Sequence, residues 1–241
     1  MAGTVNHAPL VEVDGLPAAP LAWLFPLRCV VCGEAGAHGR DLCRACHAAL
    51  PWQGPACPCC ALPTPSGETC GGCLQAASPL AGVQAVFDYA FPVDSLLPRL
   101  KFHHDFAAGR VLASCMVERL RGLPRPCAIV PIPLHRARLR RRGYDQALEL
   151  ARPLARALQL PLHADLVQRR KATTAQSRLD ADARQRNLQG AFSVTAGRSP
   201  PAHVVLVDDV MTTGATLEAA ALALRGAGVA RVDAWVCARV A

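Results

Sequence analysis

Apolar residues in this chain fall into short unbroken runs and longer helical patterns, separated by polar turns. The sharpest run is Val204 to Val207, four apolar residues that end abruptly in two carboxylates, Asp208 and Asp209. A run of this kind predicts a strand buried on both faces. A loop of small and hydroxyl residues follows: Thr212, Thr213, Gly214, Ala215 and Thr216. Leu217, Ala220, Ala221 and Leu224 then recur at helical spacing, stopped by Gly226 and Gly228. A last apolar stretch, Val232 to Val240, completes a β-loop-α-β crossover between parallel strands.

Upstream, residues 84–92 read as a strand, and 95–102 and 107–122 as helices. Cys127 to His135 reads as a second buried strand running into a loop, and as the first strand of the parallel sheet. Two prolines fix its turn, and Val130-Pro131 or Ile132-Pro133 is a candidate for unusual peptide geometry. Residues 147–160 continue as a helix despite Pro153. Residues 166–186 are polar, basic and weakly periodic, the pattern of a mobile loop, and residues 190–194 return as a strand. The pattern predicts an α/β fold, a parallel sheet flanked by helices, with a small N-terminal module. The expected divisions are a leader over 1–27 with a short helix at 21–27, the small module over 28–76, and the sheet domain over 84–241.

The small module carries no apolar periodicity, so metal must supply its core. Cys29, Cys32, Cys43 and Cys46 form one four-thiolate set, and Cys57, Cys60, Cys70 and Cys73 a second. Each Cys-x-x-Cys knuckle presents two sulfurs to one tetrahedral zinc. The sets begin 28 residues apart (57 − 29), which points to a duplicated ribbon holding one or two structural zinc ions. Sequential pairing and a cross-braced arrangement both fit the spacing. Cys59 is expected to be spare, and His38 and His47 to be loop histidines rather than ligands.

The turn after Asp209 suits a phosphorylated sugar. Ligands of open α/β sheets sit at the carboxyl ends of the strands. A helix N-terminus offers free N–H groups to phosphate, and Gly214 lets the backbone come close. Adjacent carboxylates repel each other unless a cation or sugar hydroxyls meet them. A P-loop is excluded, because neither lysine, Lys101 or Lys171, follows a glycine. Arg136, Arg138, Arg140, Arg141 and Arg142 add a dense cationic stretch suited to phosphate or to solvent.

On these residues Val204 to Thr216 resembles the phosphoribosyl-pyrophosphate (PRPP) signature of type I phosphoribosyltransferases. The chain as a whole resembles the ComF family of competence-associated phosphoribosyltransferase-like proteins. Besides the cysteine sets, the Leu100-Lys101-Phe102 triplet carries the resemblance. So do Arg142 to Gln146, with Tyr144 and Asp145 replacing Phe and Asn, and the spacing of Thr173, Gln176, Leu179, Arg184 and Asn187. The resemblance implies a type I phosphoribosyltransferase fold with an N-terminal double zinc ribbon. It implies Asp208 and Asp209 as catalytic carboxylates facing ribose. Met211, Thr212, Thr213, Gly214, Ala215 and Thr216 would hold the 5′-phosphate, with Mg²⁺ bound alongside PRPP. Pro131, Ile132, Pro133, Leu134 and His135 would be the pyrophosphate loop. A hood and basic contacts would come from Arg142, Gln146, Arg170, Gln176, Arg184 and Asn187. Lys101 reads either as a phosphate contact or as a solvated surface lysine. The implied activity is phosphoribosyl transfer or PRPP binding in DNA uptake. The alternative is a non-catalytic nucleic-acid adaptor that senses PRPP, with single-stranded DNA and a helicase-like protein as partners.

Composition changes the picture in three respects. The net charge of +8 fits phosphate or nucleic-acid partners. Aromatic residues, at 5%, argue against a base-stacking platform. No apolar run approaches the roughly 20 residues of a membrane span, so membrane insertion is not expected. The cytoplasm is the expected compartment, where twelve cysteines read as metal ligands rather than disulfides.

Overall fold

Six strands form among the residues that the computed structural model describes, which are 26–170, 190–197 and 199–241. They are β1 (Gly82–Asp88), β2 (Ala128–Pro131), β3 (Val167–Arg169), β4 (Phe192–Val194), β5 (His203–Met211) and β6 (Arg231–Arg239). The larger sheet has the order β1-β6-β5-β2 with every pair parallel, and β3 pairs antiparallel with β4. Helices follow the apolar periodicity: α1 (Arg44–Ala48), α2 (Gly71–Gln75), α3 (Val93–Phe102), α4 (Phe106–Leu120), α5 (Arg136–Arg142), α6 (Gln146–Leu158) and α7 (Ala215–Gly226).

β5 lies inside the sheet, and Val204 to Val207 are fully buried. On one face Val204 and Leu206 pack with Leu217, Ala220 and Ala221 of α7 and with Phe192 of β4. α4 and α6 pack on each other, α4 against β1 and β6, and α6 against β5 and β2. α6 buries Leu150, Leu154 and Leu158 along one stripe, and it tolerates Pro153.

The structure corrects five expectations. β5 does not stop at the carboxylates but runs on to Met211, because β6 extends equally far and pairs Val210 with Ala238 and Met211 with Arg239. β1 ends at Asp88 rather than 92, where the Ala90 N–H turns back onto the Asp88 carbonyl at 2.9 Å. The first strand of the parallel sheet is therefore β1, on the edge opposite β2. The cis proline bond among the described residues is Phe91–Pro92, not a bond of the 130–133 turn. Of the stretch expected to be a loop, Val167 to Arg169 form β3 against β4; residues 171–189 lie outside the described residues, as do residues 1–25 of the leader.

Two compact units divide the chain, Met1–His47 and Ala48–Ala241. The first four-cysteine set belongs to the smaller unit, and the second belongs with the sheet. Internally the two ribbons repeat at an offset of 28 residues. The Cys29 N–H donates to the Glu34 carbonyl at 2.7 Å, and the Cys57 N–H donates to the Leu62 carbonyl at 2.8 Å. The Gly33 N–H meets the Cys29 carbonyl as the Ala61 N–H meets that of Cys57. Past the second knuckle the offset falls to 27: His47 bonds back to Cys43, and Leu74 to Cys70. The second ribbon is thus the first with one residue removed between knuckles.

Candidate functional site at the carboxyl end of β5

Neighbouring strand residues project to opposite faces, and the two carboxylates follow that rule. Asp209 shares its face with Val205 and Val207, opposite α7 and on the side reached by Lys101 of α3. Its Oδ2 lies 2.7 Å from Nζ of Lys101, near the end of α3, and its side chain is 5% exposed. Asp208 shares the other face with Val204 and Leu206. It is half-buried, and Arg169 of β3 feels its charge. Burial, and then the charge of Asp209, push the Asp208 carboxyl well above the usual carboxylate range, against the Asp209 N–H and Lys101. A cation or donor reaching Asp208 would favour its ionised form. Lys101 is neither a free phosphate contact nor a solvated lysine, because its ammonium neutralises a carboxylate buried in the sheet.

Gly214 opens α7 in the left-handed conformation, φ +84°. A Cβ there would lie 2.6 Å from Cε of Met211. The side chain of Met211 fills the space beneath the turn, so an added Cβ would have to displace its flexible end as well as adopt a positive φ. Thr212 and Thr213 are exposed, and Oγ1 of Thr213 accepts from the Ala215 N–H at 3.4 Å. Ala215 and Thr216 begin the helix half-buried.

The second loop arrives beside the first through strand pairing. Pro131 pairs with Val207, and the Ile132 N–H donates to the Val207 carbonyl at 2.9 Å. Asp145 then fixes the loop: Oδ2 accepts from the Leu134 N–H at 2.8 Å, while Oδ1 caps α6 by accepting from Ala147 and Leu148. Burial raises the Asp145 carboxyl, its N–H donors pull it down, and Asp209 adds to the rise. Pro133, Leu134, His135 and Arg136 line one side of a cleft of about 480 Å³, and Arg169 and Arg170 line the other. Burial lowers the Arg169 guanidinium, as does the charge of Arg138. Nε of Arg170 donates to Oγ of Ser193 at 2.7 Å.

Of the hood and basic residues, Arg142 folds onto its own surroundings. It donates to Oε1 of Gln146 and lies 5.3 Å from the centre of the Phe102 ring. Gln176, Arg184 and Asn187 lie outside the described residues, as do Lys171, Thr173 and Leu179. Sequence reasoning left Asp145, Arg169 and Arg239 out of the site. For Arg239 a signal existed, since it is a lone guanidinium within an apolar strand and is 5% exposed. For Asp145 the signal was its place in the Arg142–Gln146 stretch just before a helix, whereas its bond to Leu134 and the role of Arg169 depend on neighbours distant in sequence.

The cysteine sets close sequentially, which excludes cross-bracing. Within Cys29, Cys32, Cys43 and Cys46 all sulfurs lie within 4.8 Å of one another, and the same holds for Cys57, Cys60, Cys70 and Cys73. The Cys32–Cys43 and Cys60–Cys70 sulfur separations are both 3.7 Å. Tetrahedral zinc with bonds of about 2.3 Å requires about 3.8 Å, so the residues fit the ion. Burial opposes ionisation of Cys29 and Cys57. The peptide N–H groups of Cys43, Cys32 and Val31 at the first thiol, and of Cys70, Cys59 and Cys60 at the second, nevertheless bring each down to about 6. Cys59, His38 and His47 stand outside both sets among the described residues.

Comparison with known proteins matches both the cysteine sets and the sheet. Residues 20–74 match a double zinc ribbon domain, and residues 145–240 a phosphoribosyl transferase domain. "DNA utilization protein YhgH" of Escherichia coli (strain K12) is 37% identical over 226 residues, covering 89% of this chain and 97% of that protein. "Competence protein F" of Haemophilus influenzae is 34% identical over 225 residues, covering 89% and 98%. The chain belongs to the ComF family. Its ComF fold is the type I phosphoribosyltransferase fold with an N-terminal double zinc ribbon. Among solved structures, adenine phosphoribosyltransferase from Leishmania tarentolae aligns with 64% of this ComF chain and 76% of its own, at 17% identity and a TM-score of 0.39. No helix among the described residues is long and apolar enough to cross a membrane.

Proposed function

We propose that this ComF-family protein binds PRPP with Mg²⁺ at the carboxyl end of β5 and transfers, or senses, its phosphoribosyl group. One observation carries the reading. A half-buried Asp208, the left-handed turn at Gly214 and the loop tied through Ile132 to Val207 all meet at one end of the sheet. The amides of Thr212 to Thr216, at the positive end of α7, suit the 5′-phosphate. Asp208 is the accessible carboxylate for the ribose hydroxyls, while Asp209 engages only as Lys101 releases it. The 131–135 loop and the arginines across the cleft suit pyrophosphate, and His135, Arg169 and Arg170 supply donors. Mg²⁺, when bound, masks charge on the leaving group. In transfer, an acceptor nitrogen would bond to the anomeric carbon as the bond to pyrophosphate breaks. Asp208 would then steady the cationic sugar. The relatives' names, DNA utilization and competence, support a role in the handling of DNA.

Mg²⁺-PRPP at about a hundredfold over its Kd should stabilise the protein by about 3 kcal/mol, read as a rise in Tm. Asp208→Asn with Asp209→Asn should abolish that rise while leaving the apo protein folded. An unchanged rise in the double variant would refute the assignment. Pyrophosphate release on screening nucleobases separates a transferase from a sensor.

A second reading, contact with single-stranded nucleic acid, gains support from a surface that composition concealed. Phe102 is 64% exposed and Phe106 42%, and the Tyr144 ring meets Phe106 edge-on at 5.1 Å and lies tilted to His104 at 5.2 Å. Arg142 covers Phe102, which gives exposed rings interleaved with guanidinium. Aromatic residues are few, but the fold gathers several of them.

A further inference from the structure

Arg239, near the end of β6, is a guanidinium with almost no access to solvent. Its Nε donates to the carbonyl of Cys60 at 2.9 Å, and its Nη1 to the carbonyl of Met211 at 3.3 Å and to that of Val240. Cys60 is a ligand of the second ribbon, and Met211 is the last residue of β5, immediately before the Thr212–Thr216 turn. The side chain of Met211 in turn fills the space under Gly214. The same knuckle is seated on β1, where the Val83 N–H donates to the Pro58 carbonyl at 2.8 Å. A continuous chain of contacts thus runs from the second metal centre through Arg239 and Met211 to the turn. The first ribbon belongs to the other compact unit.

We propose that Arg239 is a positioning residue through which the zinc centre of the second ribbon, and not that of the first, holds the Met211–Thr216 turn in its binding conformation. The physical reason lies in burial. A buried guanidinium needs acceptors on its N–H groups and a counter-charge nearby. Four thiolates around one divalent ion leave a net negative centre, and the knuckle around that ion fixes the Cys60 carbonyl. When the ion leaves, the knuckle relaxes, and Arg239 loses both an acceptor and its counter-charge. The Met211 carbonyl then keeps the Val240 N–H, at 3.0 Å, but loses its guanidinium donor, and the turn above it opens more often.

The experiment uses the full chain with metal content measured by mass spectrometry, and reads amide hydrogen exchange over residues 211–216. Cys70→Ser with Cys73→Ser removes the second metal without substituting Cys60, whose carbonyl meets Arg239. Exchange of the turn should speed up about tenfold, the worth of one buried hydrogen bond, while exchange in the middle of β5 stays slow. Cys32→Ser with Cys43→Ser removes the first metal and should leave the turn within about twofold of the parent. Arg239→Gln should retain both metals and reproduce the fast turn, and Arg239→Lys should restore part of the protection. Should the Cys70/Cys73 variant not fold, the two Arg239 variants decide alone. Equal exchange of the turn in Arg239→Gln and the parent, or acceleration on loss of the first metal, overturns the proposal. A second arm measures Mg²⁺-PRPP affinity by calorimetry and rests on the function proposed above. It expects weaker binding in the Arg239→Gln and Cys70/Cys73 variants only. Absence of PRPP binding in the parent overturns that function and leaves the exchange result standing.

Discussion

Lys101 and Asp209 set the electrostatics at the scale of single residues. The carboxylate is almost fully buried, and the ammonium is its ion-pair partner at 2.7 Å. Removing one member of a buried pair leaves the other uncompensated. Lys101→Met should therefore cost about 3 kcal/mol in urea unfolding, and adding Asp209→Asn should recover most of it. Additive losses in that cycle would mean that the pair is not coupled. Asp208 supplies a pH signature. Its folded carboxyl is raised, so the folded chain keeps a proton that the unfolded chain releases near about pH 4. The resulting stability is complete below that pH and is lost as pH rises through the raised folded value. Asp208→Asn should flatten this slope in Tm against pH. A ligand needing the ionised carboxylate should bind more tightly at higher pH and release protons, measurable by calorimetry in buffers of different ionisation enthalpy. Gly214→Ala combines a left-handed backbone with the Met211 contact. It should cost about 2 kcal/mol and weaken PRPP binding.

Among elements, the start of α6 does more than begin a helix. Asp145 divides its two oxygens between the helix cap and the Leu134 N–H, so the cap and the loop before α5 share one side chain. Asp145→Ala should lose both, about 2 kcal/mol by urea midpoint. Asp145→Asn keeps one acceptor oxygen and should lose about half of that. Equal losses for the two variants would show that only the carboxylate matters. β5 makes a related point. Its ladder to β6 carries it past two carboxylates, and the strand tolerates Asp209 because α3 brings Lys101 to that face.

The whole molecule joins a cationic chain to two metal ribbons of unequal standing. The ribbons share the bonds of their cysteine knuckles, yet only the second lies in the compact unit that holds the sheet. The net charge of +8 belongs to the second reading of function. If single-stranded DNA is bound, its affinity should fall steeply with salt, by about 0.7 in the logarithmic slope for each phosphate neutralised. Phe102→Ala with Phe106→Ala should weaken binding by about 1–3 kcal/mol per lost stack at constant slope. Loss of affinity with a changed slope and no stacking effect would assign the contact to arginines alone.

By itself the sequence determined whatever is local and periodic. The apolar run Val204–Val207 specified a buried strand, the glycine after Thr213 specified a close backbone approach, and eight cysteines in four knuckles specified tetrahedral metal coordination. Each property depends on residues a few positions apart, where backbone sterics and ligand spacing leave few choices. The tertiary structure alone decided that the quartets close sequentially and that Lys101 neutralises Asp209. It also decided that Asp145 ties down a loop eleven residues away, that scattered rings gather beside Arg142, and that Arg239 spans from Cys60 to Met211. These facts depend on which side chains the folded backbone brings within hydrogen-bond reach, and no repeat or spacing along the chain encodes such distances.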